Sequence, residues 1–168
     1  MDYSNHFKLA DDMISHLDSV VGGITDPFVT SRYVGFVAVA AVTVYELAIK
    51  EIFCEFATKK HNVFGNFVYK YFERINGRIK LEIIQKDYLP RFGDKYLQRF
   101  ERKIKKTDEQ SIKDRRGSIT SSYGNIIVWR NEFAHEGKNP STPTYNEVKK
   151  AYFTGKSVID CLADTMQR

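Results

Sequence analysis

The chain has 168 residues and a mass of 19.5 kDa, which suits one domain, and we expect residues 1–168 to form it. Apolar residues make up 42% and charged residues 28%, which excludes a disordered or fibrous polymer. Two cysteines exclude a disulfide framework and predict a reducing compartment, the cytoplasm. The start of the chain lacks a signal-peptide pattern, and the longest apolar run, 34–45, is too short to span a bilayer, so no membrane association is expected.

The net charge of +5 is unevenly distributed along the chain. Residues 1–58 hold three basic and eight acidic side chains, whereas residues 70–106 hold twelve basic and five acidic ones. A basic middle segment suggests a surface that attracts polyanions, although a solvated helix face explains the same charges equally well. The candidates for contacts with nucleic-acid phosphates are Lys103, Lys106, Arg115 and Arg116.

The first half of the chain shows helical spacing of apolar residues. A first helix is predicted from an apolar stripe that ends at Gly22-Gly23, with inward positions Phe7, Ala10, Ile14, Leu17 and Val21. Thr30 or Ser31 can cap a second helix that runs to about Lys60. Its first half, 34–41, is apolar on every side, which predicts a central helix surrounded by others.

Three further helices are predicted in the middle of the chain. Apolar residues over 64–75 have helical spacing and end at Asn76-Gly77. A fourth helix, about 78–89, is expected to end before Pro90. Asp94 can cap a fifth helix, whose outward basic side chains are Arg99, Arg102, Lys103 and Lys106.

The last part of the chain predicts two more helices. The polar stretch 107–118 is expected to be mobile, and a sixth helix should run from about Ile119 to 131–133. Thr144 and Glu147 have the spacing of a capping box and open a final helix to about Met166. Because no segment has a convincing strand pattern, the predicted fold is an all-α bundle.

Two short strings carry the candidate chemistry. The first is the run from Arg130 to His135, in which Asn131 and His135 share one helix face and Arg130 lies about 140° around the axis from His135. Arginine and histidine therefore converge only if the helix breaks near Ala134 or if a second copy of the chain completes the site. The second string places Glu46 four residues before Lys50 on the central helix, the favourable order for an ion pair.

These strings resemble the two signatures of the HEPN superfamily (higher eukaryotes and prokaryotes nucleotide-binding). Arg-x-x-x-x-His ends an apolar helix with a polar residue directly after the arginine, and Glu-x-x-x-Lys lies upstream on a central helix. The local string 129–137 resembles the "RN-x-x-AH-x-G" form of HEPN proteins in bacterial defence and toxin loci. The resemblance covers nearly the whole chain and implies a four-helix up-down core with extra helices and no significant sheet.

The resemblance implies a metal-independent endoribonuclease that acts as a homodimer with both motifs facing one cleft. The RNA 2′-hydroxyl would attack the phosphate, leaving a 2′,3′-cyclic phosphate and a 5′-hydroxyl. His135 suits proton transfer, because the unperturbed pKa of histidine is about 6.5, and Arg130 suits stabilisation of the phosphorane. Asn131 would bond the phosphate or orient His135, while Glu46 and Lys50 would orient Arg130 or line the cleft.

Two other interpretations stay open: a HEPN module that binds RNA or a partner protein without cutting, and a structural dimerisation domain. No cofactor or metal is expected, since histidines and cysteines lack metal-ligand spacing. In HEPN toxins silenced by a nucleotidyltransferase, a tyrosine two residues after the histidine accepts AMP; here that position is Gly137. Control by that modification is not expected, and a different antitoxin or defence-system partner stays open.

Overall fold

The chain is almost entirely helical. The computed structural model describes residues 2–73, 75, 77–136, 140 and 143–167, with the main chain alone at His135 and Glu136. Within these ranges no residue lies in a strand, and the predicted all-α fold is confirmed.

The helices follow one another with short connections. A 3₁₀ turn (Tyr3–His6) leads into α1 (Phe7–Val21), α2 (Pro27–Lys60) and α3 (Asn62–Phe72). One continuous helical segment then comprises α4 (Leu81–Ile83), a π turn (Ile84–Tyr88) and α5 (Leu89–Phe92). The remaining helices are α6 (Asp94–Lys113), α7 (Ile119–Glu136) and α8 (Tyr145–Met166).

Helix α2 lies at the centre and packs against α1, α3, α7 and α8. Small residues allow this close packing: a Cβ added to Gly35 would lie only 2.2 Å from the ring of Phe133 on α7. The predicted central helix surrounded by others is therefore confirmed, but it leaves one stripe open, where Phe36 and Leu47 are 47% and 40% exposed. Of the helices in the described ranges, α2 included, none is long and apolar enough to cross a bilayer.

A stack of three tyrosines joins α2, α7 and α8 in the core. The ring of Tyr45 lies 5.2 Å from that of Tyr123 and 5.9 Å from that of Tyr152, nearly parallel to both. The Tyr45 hydroxyl donates a hydrogen bond to the carbonyl oxygen of Tyr152, and the Tyr123 hydroxyl donates to that of Ile79. The Tyr152 hydroxyl donates to the Asp11 carboxylate, so each of the three hydroxyls has an acceptor, as a buried polar group requires.

The caps of two helices differ from the sequence prediction. Asp26, not Thr30 or Ser31, caps α2: its carboxylate accepts from the Phe28 N–H, and Pro27 takes the first helical position, where no N–H is needed. The hydroxyls of Thr30 and Ser31 instead donate to main-chain carbonyls of the same first turn. At α6, Gly93 occupies the cap position with φ +114°, and Asp94 is the first helical residue.

The helix around Pro90 also differs from its prediction, because it begins at Leu81 and continues past the proline to Phe92. Proline normally ends a helix by removing an N–H and clashing with the carbonyl four residues earlier. Here the wider π turn immediately before Leu89 provides the local adjustment that lets the segment continue. α3 conversely ends at Phe72, before the predicted 75.

The polar stretch 107–118 is mostly ordered helix, since α6 continues to Lys113. The Ser111 hydroxyl donates to the Gly117 carbonyl, and the Asp108 carboxylate accepts from the Thr120 N–H, so the turn is tied at both sides. The predicted capping box at the start of α8 is present.

We expect Gly155→Ala to destabilise the fold by about 1–3 kcal/mol, because overpacking strains a close helix crossing. Its Cβ would lie 2.8 Å from the Tyr45 hydroxyl oxygen and 3.2 Å from the main chain of Tyr123. The control is Gly124→Ala on α7, where the added Cβ would have no described atom within 4 Å beyond the adjacent backbone of its own helix, and alanine should stabilise by about 0.5–1 kcal/mol. Urea denaturation measures both, and effects of the same sign would contradict this packing.

Candidate active site

The structure brings the two signature strings together through one ion pair. Nη2 of Arg130 on α7 lies 3.6 Å from Oε1 of Glu46 on α2. Both side chains are largely withdrawn from solvent, the arginine to 12% exposure and the glutamate to 24%. The pair joins two helices that are distant in sequence, and it holds the guanidinium at the α2–α7 boundary.

The turn between α3 and α4 covers this pair. Gly77 has φ +78°, and a Cβ there would lie 2.3 Å from Nη2 of Arg130. Only glycine combines that backbone conformation with so close an approach to the guanidinium. The sequence predicted a helix break at Gly77 but gave no signal that the glycine would sit against Arg130.

The electrostatic state of Glu46 reflects opposing effects. Burial raises the pKa of Glu46 above its ordinary value, while the Arg130 charge and a hydrogen bond from the Gly77 main-chain N–H act to lower it. Burial is the largest of these effects, so the carboxyl holds its proton more tightly than a glutamate in water does.

The other predicted site residues do not all join this pair. Nζ of Lys50 lies 5.0 Å from the centroid of the Tyr69 ring on α3. Asn131 is half-buried on α7 beside Arg130. Sequence reasoning missed Tyr69, whose 49% exposed ring gives no pattern that distinguishes it from its aromatic neighbours.

The side chain of His135 lies outside the described residues, so its distance from Arg130 stays a prediction. The main chain of α7 continues through His135 to Glu136, and the helix does not break near Ala134. On such an unbroken helix the Cα atoms of positions 130 and 135 are about 140° apart around the axis. Of the two routes to a combined site, the helix break is excluded, and completion by a second chain stays a proposal.

The four basic candidates for phosphate contact separate into two groups. Arg115 and Arg116 line one surface groove together with residues of α8. Lys103 on α6 instead forms an ion pair with Asp164 at 3.0 Å, and Lys106 is exposed on α6 without lining that groove.

Comparison with known proteins identifies the family of this chain. The family model described as RiboL-PSP-HEPN matches residues 4–168. The chain belongs to this HEPN family. Neither a curated protein nor a solved structure matches it. The HEPN assignment from the two strings is confirmed. Membership of this family makes the protein a nuclease or RNA-binding module, and HEPN domains often dimerise.

We expect Gly77→Ala to cost more stability than Gly117→Ala. Both glycines have positive φ, so each alanine incurs about 1–2 kcal/mol of backbone strain, but only the Cβ at position 77 meets Arg130. Chemical denaturation measures the difference. In an Arg130→Ala background the extra cost should disappear; if it persists, the glycine is not required by the guanidinium.

The raised pKa of Glu46 predicts how stability changes with pH. The folded chain holds the Glu46 proton more tightly than the unfolded chain does. The stability that this proton confers is therefore fully present below the pKa of Glu46 in the unfolded chain, and it is lost as the pH rises through the higher pKa of the folded chain. The stability of Glu46→Gln relative to wild type should therefore increase from about pH 4 to about pH 7, measured by denaturation at each pH.

Glu147→Gln is the control for this pH series. Hydrogen bonds from the Thr144 main-chain N–H and hydroxyl lower the pKa of Glu147, so the relative stability of that variant should fall as the pH rises to about 5 and stay level from there to about pH 7. Parallel profiles for the two variants would contradict the assigned environment of Glu46.

Proposed function

We propose that this protein is a metal-independent endoribonuclease of the toxin or antiphage-defence type. The observation that carries the proposal is the Glu46–Arg130 pair, because it unites the two strings by which the chain resembles HEPN ribonucleases. A shared position for both strings supports a common role.

The proposed reaction needs two proton transfers and one charge stabiliser. The ribose O2′ forms a bond to phosphorus as the phosphorus–O5′ bond breaks, which gives a 2′,3′-cyclic phosphate. The 2′-hydroxyl proton moves to a base, and an acid gives a proton to the leaving O5′. We assign proton transfer to His135, phosphate binding or orientation of His135 to Asn131, and stabilisation of the phosphorane to Arg130.

Glu46 and Gly77 act in this proposal as positioning residues. They hold the guanidinium at the α2–α7 boundary, where reduced solvent access strengthens its interaction with a developing negative charge. Lys50 would line the cleft, with its ammonium resting on Tyr69.

A homodimer is part of the proposal, and the open stripe of α2 supports it. The α2 stripe consists of Phe36, Ala40, Thr43 and Leu47, which recur on one helix face. Glu46 borders this face. The ring of Phe133 on α7, the motif helix that carries Arg130 to His135, lies 5.5 Å from the ring of Phe36. A two-fold contact through the stripe would therefore bring two Glu46–Arg130 pairs to one cleft.

The second candidate function is an RNA- or protein-binding HEPN module without catalysis. The observation that favours it is the low exposure of Arg130, which already neighbours a carboxylate and leaves little guanidinium surface for a phosphate. Salt-sensitive RNA binding without turnover, unaffected by His135→Ala, would identify this module.

We expect Arg130→Ala and His135→Ala each to reduce RNA cleavage by about 10²–10³-fold. The first removes the charge that stabilises the phosphorane, and the second removes the group that transfers the proton. Purified protein is incubated with total RNA in EDTA, and the new ends are mapped. Arg102→Ala and His16→Ala, both at exposed positions, are the matched controls.

Cyclic phosphate ends that vanish in the two motif variants, but not in the controls, support the nuclease. Cleavage that persists in folded Arg130→Ala and His135→Ala proteins would overturn it, as would ends bearing 3′-hydroxyls. Circular dichroism and thermal unfolding establish that each variant is folded.

We expect Phe36→Glu and Leu47→Glu to convert a dimer into single chains, because a carboxylate in each copy of the α2 stripe would face its like across the two-fold axis. Light scattering should show the mass fall to 19.5 kDa. Val63→Glu and Phe67→Glu make the same change at exposed positions of α3 and should leave the dimer intact. A dimer that survives both α2 variants rules out this interface.

A further inference from the structure

A basic groove lies between the end of α6 and one face of α8. Its volume is about 610 Å³. Arg115 and Arg116 form one side, in the loop before α7, and Lys149, Lys150 and Phe153 form the other, at helical spacing on α8. The groove thus combines four cations with an aromatic side chain.

Two of these cations have acidic neighbours and two are available. Arg116 pairs with Asp114 at 2.6 Å, and Lys149 pairs with Asp18 on α1. Arg115 and Lys150 are exposed and form no ion pair with any side chain that the structure describes. An anion could therefore bind Arg115 and Lys150 without displacing a carboxylate from either.

The main chain at Arg115 is unfavourable for an arginine. α6 ends in a Schellman motif, in which the Arg116 N–H bonds the Ser111 carbonyl and the Arg115 N–H bonds that of Ile112. This motif normally has glycine at the residue with positive φ, yet here that residue is Arg115, with φ +60°. The strain is retained at the position that extends a cation into the groove, which indicates a use for that side chain.

The groove leads towards the motif helix. A smaller neighbouring groove of about 340 Å³ shares Arg116 and Lys150 with the first and reaches Trp129, the residue before Arg130 on α7. A polymer with regularly spaced phosphates fits such a path better than a single small anion does.

We propose that this groove binds a single-stranded segment of RNA, with its phosphates at Arg115 and Lys150 and a base stacked on Phe153. The 44% exposed ring of Phe153 offers the aromatic surface on which bases stack without sequence preference. The inference rests on the proposed function, because the bound strand is taken to be the substrate that continues to Arg130.

The binding test uses a fluorescent 20-nucleotide, unstructured 2′-O-methyl RNA, which cannot supply the attacking hydroxyl. Fluorescence anisotropy across a salt series in EDTA gives the affinity and its salt dependence. Arg115→Glu/Lys150→Glu should weaken binding at least tenfold and reduce the slope of log K against log salt by about 1.4, the value for two phosphate contacts on a single strand. Phe153→Ala should weaken binding about fivefold or more, and Phe153→Trp should retain it.

The matched control is Lys60→Glu/Lys95→Glu, which makes the same change in net charge in another surface groove, beside the start of α6. Equal losses in the two charge-reversed proteins, or no loss in either, would overturn the proposal. Tighter binding of a 20-residue polyglutamate than of the RNA would also overturn it and assign the groove to an acidic protein.

Arg115→Gly separates binding from structural support. Glycine relieves the positive-φ strain, so we expect this variant to raise the melting temperature by about 2–4 °C while it weakens RNA binding. An unchanged affinity in Arg115→Gly would overturn the role of the side chain.

Failure of this inference and failure of the nuclease are distinguishable. If cleavage depends on Arg130 but RNA affinity is the same in the groove variants as in the wild type, only the proposed groove is rejected. RNA binding that depends on the groove, with no cleavage by the wild type, rejects the nuclease and leaves the groove assigned.

Discussion

The burial of α2 is the constraint on which both the fold and the candidate site depend. Tyr45 is fixed at the centre of that helix by stacking between Tyr123 and Tyr152. The next residue, Glu46, is thereby held about 100° further around the helix, at the boundary with α7. Core packing thus determines where the Glu46 carboxylate meets Arg130, because the tyrosine stack fixes the rotation of α2 at this point.

The protonation state of Glu46 affects how readily Arg130 could bind another anion. Burial raises the pKa of Glu46, so a neutral carboxyl is less costly here than it would be in water. A phosphate that approached Arg130 would replace one anionic neighbour with another, and protonation of Glu46 would reduce the cost of that exchange. The proposed role of Arg130 in binding phosphate therefore requires this pair to open, because the guanidinium is only 12% exposed.

The basic groove shows a different relation between structure and use. At Gly77 a positive φ is occupied by glycine, so the close approach to Arg130 is made without backbone strain. At Arg115 a positive φ is occupied by arginine, although glycine would suit the helix end better. Packing against Arg130 explains the glycine at position 77, and the proposed binding groove accounts for the arginine at position 115.

The sequence by itself determined the all-α class, the helix positions and the family, because apolar spacing, caps and short motifs are local properties. It did not determine the continuation past Pro90 or the helix over 107–113, since a π turn and hydrogen bonds from Asp108 and Ser111 offset local breaking signals. Only the tertiary structure brought Glu46 to Arg130, placed Gly77 against the guanidinium, and set Lys50 beside Tyr69. Those contacts join residues far apart in the chain, and their geometry depends on how the helices pack rather than on spacing along any one helix.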